Sequence, residues 1–390
     1  MKLRFGLFMN AAAAAAFIAA AAAFGQTDIA YKFTDAKFRA AVYYEIGKTA
    51  PAPILDTDVK GITELNVSNS GISDLSGIES FTSLAKLVCS DNNLIALDLS
   101  KNTALKELNC SDNRLIALGV SRNVALDELR CDHNQLASLD VSKNTKLTVL
   151  SCNWNQLASL DVSKNTKLTV LACEGNQLTS LDLSNNTALW LLGCEGNELT
   201  ALDLSKNTAL TRISCFINKL TALDVSKNTA LTELNCSDNK LTALDVSKNT
   251  DLTELDCGKN LLTALDVSNN AKLETLYCYN NRLTALDVSK NTKLAMLWCY
   301  NNKLTVFDVS NNTALAWLSC GRNQLTMLDL SKNTALTELD VRDNHFPDEN
   351  DVIGVNKPKL AMFRFVPQKD RNAIRSAAGQ SAAPQPPPKR

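Results

Sequence analysis

The feature that most narrows what this chain can fold into is a strict internal period. Its twelve cysteines stand at Cys89, Cys110, Cys131 and then every 21 residues through Cys320, with no insertion between them. A period of this length makes the chain a stacked array in which each unit buries its apolar face against its neighbours, so the usual division of 390 residues into two or three globular domains does not apply. Aligned on the cysteines, the units read Leu-x-x-Leu-x-Cys-x-x-Asn, as in Leu231, Leu234, Cys236 and Asn239. A thirteenth copy, Leu336 to Asn344, carries Val341 in place of cysteine. Side chains alternate faces along a strand, so the Leu and Cys positions point inward and the residues between them point out.

Val341 indicates what the cysteine position requires, a small buried hydrophobe, and free cysteine behaves as one. In an exported protein an even number of cysteines ordinarily signals disulfides. Stacked parallel strands, however, hold equivalent Cβ atoms about 4.8 Å apart and pointing the same way, whereas a disulfide wants roughly 3.5 to 4.5 Å. The expectation is therefore twelve reduced, buried thiols. His133 and His345 are the only histidines and neither falls in an inward column, so no metal site and no cofactor is expected.

The second half of the unit repeats the first. "LTALDVSKNTA" also reads Leu-x-x-Leu-x-Val-x-x-Asn, so strand-like inward residues are expected on both sides of a flattened coil. The residues "LTELNCSDNKLTALDVSKN", repeated from about Leu84 to Asn344, resemble the nested bacterial leucine-rich repeats called IRREKO. That resemblance implies a leucine-rich-repeat solenoid of the α/β horseshoe class, β-rich, with parallel strands stacked at one per repeat, and it is silent about activity.

Two asparagine columns, Asn92 to Asn344 and Asn102 to Asn333, run without substitution. Where a chain turns out of a strand its peptide groups lose sheet partners, and a buried Asn supplies both donors and an acceptor. An outward Asp column runs from Asp98 to Asp329, broken at Gly119, beside a Lys-rich column that includes Lys101, Lys143 and Lys227. It is read as mutual neutralisation on a solvated face rather than as a calcium site.

Residues 1–25 read as a signal peptide: Lys2 and Arg4 precede an Ala-rich apolar run too short to span a bilayer, and Ala23 and Gly25 flank a cut before Gln26. The chain is accordingly expected to be secreted or at the cell surface, with the periplasm as an alternative. Residues 26–60 form a helical cap, with Phe38, Val42 and Ile46 on one stripe, Thr34 as N-cap and Gly47 as stop. The junction that follows, with 22 residues between Val67 and Cys89, is similar to that of internalin-like secreted proteins. The solenoid spans 61–346, a C-terminal cap that breaks the period spans 347–367, and 368–390 is a Pro- and Ala-rich disordered tail.

Catalysis is not expected. The histidines lack a repeated nucleophile neighbour, the cysteines are committed to the core, and no phosphate loop or dinucleotide fingerprint occurs. A formal charge of -1 on 390 residues gives no bulk attraction to nucleic acid. Function should sit where the copies differ, on the outward positions around each cysteine. There Tyr277, Tyr279, Met296, Trp298, Tyr300 and Trp317 from consecutive coils share one surface, the candidate ligand-binding site, with the alternative that the rings simply stack on one another or lie under the cap. His133, Trp154 and Phe216 mark a sparser second region. A protein partner, which the resemblance implies could be host-derived, is expected because a leucine-rich solenoid offers a long continuous surface suited to macromolecules, and the chain is expected to be a monomer. A glycan, held by Asn280, Asn301 and Asp256 beneath stacked sugar rings, and a plain structural spacer are the alternatives.

Overall fold

The structure, a computed structural model, describes residues 25–369; the stretch expected to act as a signal peptide, up to residue 24, and the chain from 370 lie outside the described residues. The chain divides into two compact units, one ending at Leu189 and one beginning at Trp190. Both are built from the same coil, and each is a stack of three-residue parallel strands.

In the N-terminal unit the strands Glu64–Asn66, Lys86–Val88, Glu107–Asn109, Glu128–Arg130, Val149–Ser151 and Val170–Ala172 pair in chain order. The first step is 22 residues, Glu64 to Lys86, and the rest are 21. In the C-terminal unit the order runs from Leu191–Gly193 through Arg212–Ser214, Glu233–Asn235, Glu254–Asp256, Thr275–Tyr277, Met296–Trp298 and Trp317–Ser319 to Glu338–Asp340. A last strand, Met362–Arg364, pairs with Glu338–Asp340 after a step of 24, Glu338 to Met362. Parallel strands need a return path outside the ladder, and the remaining residues of each repeat supply it.

One coil shows why the sequence closes on itself. Leu231, Leu234, Cys236, Leu241, Leu244 and Val246 are all buried and fill its interior, together with Asn239 and Asn249. Full burial of each aliphatic side chain contributes about 1.5 to 3 kcal/mol, so any one coil owes its stability to the neighbours that cover it. Asn239 Nδ2 donates to the carbonyls of Cys215 (3.0 Å), Cys236 (3.2 Å) and Ser237 (3.2 Å), while its Oδ1 accepts from the Leu220 N–H (2.9 Å). It thus bonds its own coil and the one before it. Asn249 donates to the carbonyls of Val225 (3.0 Å) and Asn228 (2.8 Å), but its buried Oδ1 has no donor among the described residues. The first column both gives and accepts, as the sequence suggests; at Asn249 only the giving is realised.

The two sides of the coil also differ in backbone pairing. Nested strand patterns predict short strands on both, yet among the described residues the second side forms only one two-residue pair, Leu328–Asp329 with Val352–Ile353, and an isolated bridge between Asp98 and Gly119. The Asp-Val-Ser stretch turns instead of pairing. Asp245 Oδ1 accepts from the Ser247 N–H (2.8 Å), and the same two-residue step recurs at Asp98, Asp140, Asp161 and Asp224. The Ser donors are also the leading influence that lowers the pKa of Asp245, ahead of Lys248. The Asp column is therefore a row of Asx turns, with the neighbouring lysines a smaller influence in the same direction.

All twelve cysteines are buried thiols. Burial pushes the Cys89 thiol up to about 12 and the Cys236 thiol well above its ordinary value. A thiol so displaced is inert at neutral pH, consistent with packing rather than reactivity.

At the N-terminal end the helix Ala36–Glu45 buries Phe38 and Val42, with Ile46 only half-buried at its C-cap. Its N-cap is Asp35, which accepts from the N–H groups of Lys37 (2.8 Å) and Phe38 (3.0 Å); Thr34, the residue favoured by the sequence, bonds Asp74 (2.6 Å) instead. Phe33 packs edge-on against Phe38 and Phe81, and it lies so close to Gly77 (φ +103) that a Cβ there would meet its ring at 2.5 Å.

At the C-terminal end Gln368 extends the asparagine ladder by a rung. Its Oε1 accepts from the Asn344 N–H (2.9 Å), and its Nε2 donates to the carbonyls of Val341 (3.2 Å) and Phe365. These carbonyls stand in the places that the first column bonds elsewhere, one in its own coil and one in the coil before. The longer side chain and the step of 24 conceal the equivalence from the 21-residue alignment.

Candidate functional site

Parallel register converts the outward positions of successive repeats into rows. One row runs Asp256, Tyr277, Trp298, Ser319, Asp340, Arg364, and the row beside it runs Thr275, Met296, Trp317, Glu338, Met362. Tyr279, Tyr300, Gly321 and Arg342 follow two residues behind the first row. The six aromatic and methionine residues singled out from the sequence are thus brought together, all half-buried.

They hold one another. Tyr277 and Trp298 rings lie 4.6 Å apart, Trp298 meets Trp317 edge-on at 4.9 Å, and Tyr279 stacks on Tyr300 at 5.0 Å and 14°. Tyr277 Oη reaches Met296 Sδ at 3.8 Å. Tyr279 lies over Gly258, where a Cβ would meet the ring at 2.5 Å, so Gly258 is what lets this ring lie flat. The self-stacking alternative is therefore part of the geometry, and it leaves each ring partly open. The indole N–H groups of Trp298 and Trp317 are buried without an acceptor among the described residues, a cost of about 1 to 3 kcal/mol each.

Burial pushes the Tyr279 hydroxyl up to about 12, with the Asp256 charge adding to it. Asp256 itself is raised to about 6, chiefly by burial, although it accepts from the Gly258 N–H (2.9 Å). Asn301 Nδ2 donates to Asn280 Oδ1 (2.7 Å), so the two amides assigned to sugar hydroxyls on sequence grounds engage each other.

Beyond the rings the surface steps down. Ser319 and Gly321 are the small residues that follow Trp298 and Tyr300 in their rows, and a cleft of about 480 Å³ opens over them. A Cβ at Gly321 would stand 3.0 Å from the Arg342 carbonyl, so glycine keeps the floor free of crowding. One wall is Trp298, Tyr300 and Trp317; the other is ionic. Asp340 accepts from Arg342 through Nη2 (2.6 Å) and Nε (3.0 Å), with Arg364 Nη1 at 3.8 Å, and Arg322 Nε donates to Asp343 (3.3 Å). Sequence reasoning found the aromatic wall and missed the ionic one. Ser319 and Gly321 were readable as gaps in the rows, whereas Arg364 enters only through the last strand.

A second column escaped the sequence reading. The residue two after each cysteine, and two after Val341 in the thirteenth copy, adopts positive φ, from Asp91 (φ 57) through His133 (φ 51), Trp154 (φ 53), Ile217 (φ 51) and Arg322 (φ 54) to Asp343 (φ 56). Asp, Asn and Gly tolerate this region; Ile and Trp do so at a cost. The structure brings His133 and Trp154 together, stacked at 6.0 Å and 9° in the N-terminal unit, while Phe216 belongs to the C-terminal unit.

Stacked parallel strands on a 21-residue leucine-rich coil, with inward Asn and Cys columns, define a leucine-rich-repeat protein. No protein-family model matches the chain. The solved functional domain of InlJ from Listeria monocytogenes, which includes a cysteine ladder, superposes with a TM-score of 0.85 at 39% identity, covering 88% of this chain and 76% of that one. Internalin J of Listeria monocytogenes serotype 4b is 43% identical over 71 residues, which is 18% of this chain and only 8% of internalin J. A leucine-rich-repeat protein of Leptospira interrogans superposes with a TM-score of 0.72 at 25% identity, covering 78% of this chain and 84% of that one. The chain belongs to the leucine-rich-repeat family and is internalin-like within it. No helix among the described residues is long and apolar enough to cross a membrane.

Proposed function

We propose that the chain is a non-catalytic binding protein, secreted or held at the cell surface, that recognises a protein partner as a monomer through the variable outward face of the cysteine-bearing strands. In this reading 1–25 is removed on export, 26–60 and 347–367 cap the solenoid of 61–346, and 368–390 is a tail whose first residue, Gln368, is bonded to the end of the stack. The observation that carries it is the cleft, where three half-exposed aromatic rings meet a set of arginines. Tyr, Trp and Arg are the residues that dominate binding hot spots. A protein is favoured over a glycan because the Asn280 and Asn301 amides, the groups best suited to sugar hydroxyls, are already bonded to each other.

The test is to probe a proteome microarray and a glycan array with the exported chain and with Tyr277→Ala/Trp298→Ala/Trp317→Ala. A protein ligand should be bound by the parent and lose about 2 kcal/mol or more in the variant, while Lys227→Ala/Lys248→Ala/Lys290→Ala alters little beyond a salt-sensitive on-rate. Glycan spots bound in place of proteins, or a triple aromatic variant that melts like the parent and binds at full strength, would remove the assignment.

A further inference from the structure

The ionic wall of the cleft is layered. Beneath lie the carboxylates: the Asp340 side chain is 12% exposed and Asp343 is 32% exposed. Above them stand the guanidinium groups of Arg364, 53% exposed, and Arg322, 67% exposed. Arg342 spends its fork on Asp340 through two nitrogens. Arg322 makes one hydrogen bond to Asp343, and Arg364 stands 3.8 Å from Asp340, beyond hydrogen-bonding distance. With Glu338 counted beside Asp340 and Asp343, the formal charges of the lining cancel those of the three arginines, but the most exposed groups are Arg322 and Arg364, and their two planar forks are left with open donors beside the indoles of Trp298 and Trp317.

We propose that this cleft takes an acidic side chain, Asp or Glu, flanked by an aromatic or aliphatic residue in an extended segment of a partner protein. The carboxylate accepts from Arg364 and Arg322, whose fork geometry matches it, and the apolar neighbour lies against Trp317 and Trp298. Glu338, in the row of Trp317 and Met362, repels a carboxylate and directs it toward Arg364. The volume, about 480 Å³, holds two adjacent side chains. This inference rests on the protein-binding reading and narrows it to one chemistry.

Two capped peptides are the probes, acetyl-Gly-Phe-Glu-Phe-Gly-amide and its Gln counterpart, titrated against the full chain at low salt by saturation-transfer NMR, with free N-acetylneuraminic acid as a third arm. The Glu peptide should bind about tenfold tighter than the Gln peptide. Arg322→Gln/Arg364→Gln, changed at exposed positions that leave the core intact, should abolish the preference, and Trp317→Leu should weaken both peptides. Equal binding of the two peptides, no binding of either, a preference that survives the double substitution, or binding of the sugar acid alone would overturn the proposal. Were the peptides to fail while the triple aromatic variant still loses a protein ligand on the array, the acidic-segment inference falls by itself. Should that variant keep its protein ligand, the broader reading falls.

Discussion

The two halves of each repeat carry nearly the same inward pattern and come out differently. In the ladder half, Leu234 sits on the strand Glu233–Asn235, flanked by Leu231 and Cys236, and neighbouring strands pair with it on both sides. In the return half, Leu241, Leu244 and Val246 are as well buried, but the intervening Asp245 binds its own turn through Ser247 and no ladder forms along the stretch. Apolar spacing sets what is buried; local polar groups set whether the backbone pairs with its neighbour or with itself. The difference extends to charge: Asp256 in the ladder half is pushed up to about 6 by burial, whereas Asp245 in the return half is held below its ordinary range by the Ser247 N–H and hydroxyl.

The largest expected effect tests whether both halves are truly core. Cys236→Asp and Val246→Asp should each cost on the order of 3 kcal/mol or more in denaturant unfolding, by burying an unpaired charge, while Cys236→Val costs less than about 1.5 kcal/mol. A Val246→Asp protein as stable as the parent would show that the return half is not packed. In the same samples, thiol reagent should find almost no reactive cysteine in the native protein and all twelve after unfolding without reductant.

Next come the asparagines. Asn239→Ala strips three carbonyls and one N–H of their partner and should cost about 1 to 3 kcal/mol, more than Asn249→Ala, which strips two carbonyls. Melting curves in the reverse order would mean that the return half depends on an acceptor contact at Asn249 that the structure lacks.

Asp256 and Asp245 should respond to pH with opposite sign. The raised folded-state value of Asp256 means that ionisation opposes folding, so its stabilising contribution is complete below the ordinary carboxylate range near 3.8 and is lost as pH rises to about 6. Asp256→Asn should therefore stabilise the protein at pH 7 by about 1 to 2 kcal/mol, discounted for its partial solvation, with the gain gone at pH 4. For Asp245 the lowered value gives the converse: its contribution is present above the ordinary carboxylate range and is lost as pH falls through its folded value. A pH-independent effect of Asp256→Asn would point to lost packing in place of relieved ionisation.

The smallest effect concerns the left-handed column. Ile217 holds φ 51 where Asp238, Asn280 and Asn301 occupy the equivalent place. Ile217→Asn should stabilise by about 0.5 to 1 kcal/mol, since Asn visits this region at lower cost. A loss of stability would show that the Ile side chain, 51% exposed, is engaged by a surface contact worth more than the strain.

What the sequence determined by itself is everything that repeats. A period without insertions puts each Leu, Cys and first-column Asn in the same place on every coil, so burial, the hydrogen bonds of Asn239 and the grouping of Tyr277, Tyr279, Met296, Trp298, Tyr300 and Trp317 could be read by stacking one copy on the next. Tertiary structure decided what depends on backbone direction or on the end of the period. Whether the Asp-Val-Ser stretch pairs across coils is a contest between a turn and a ladder that identical inward spacing cannot judge, and the Ser N–H bound to each Asp settles it locally. Asp35, not Thr34, caps the first helix because the chain enters it one residue later and Thr34 is drawn to Asp74. The ionic wall is the clearest case: Met362 and Arg364 reach the rows of Glu338 and Asp340 only because the last segment returns with a step of 24, and a loop that long sets its register by where its own side chains, Phe363, Phe365 and Gln368, find partners at the end of the stack.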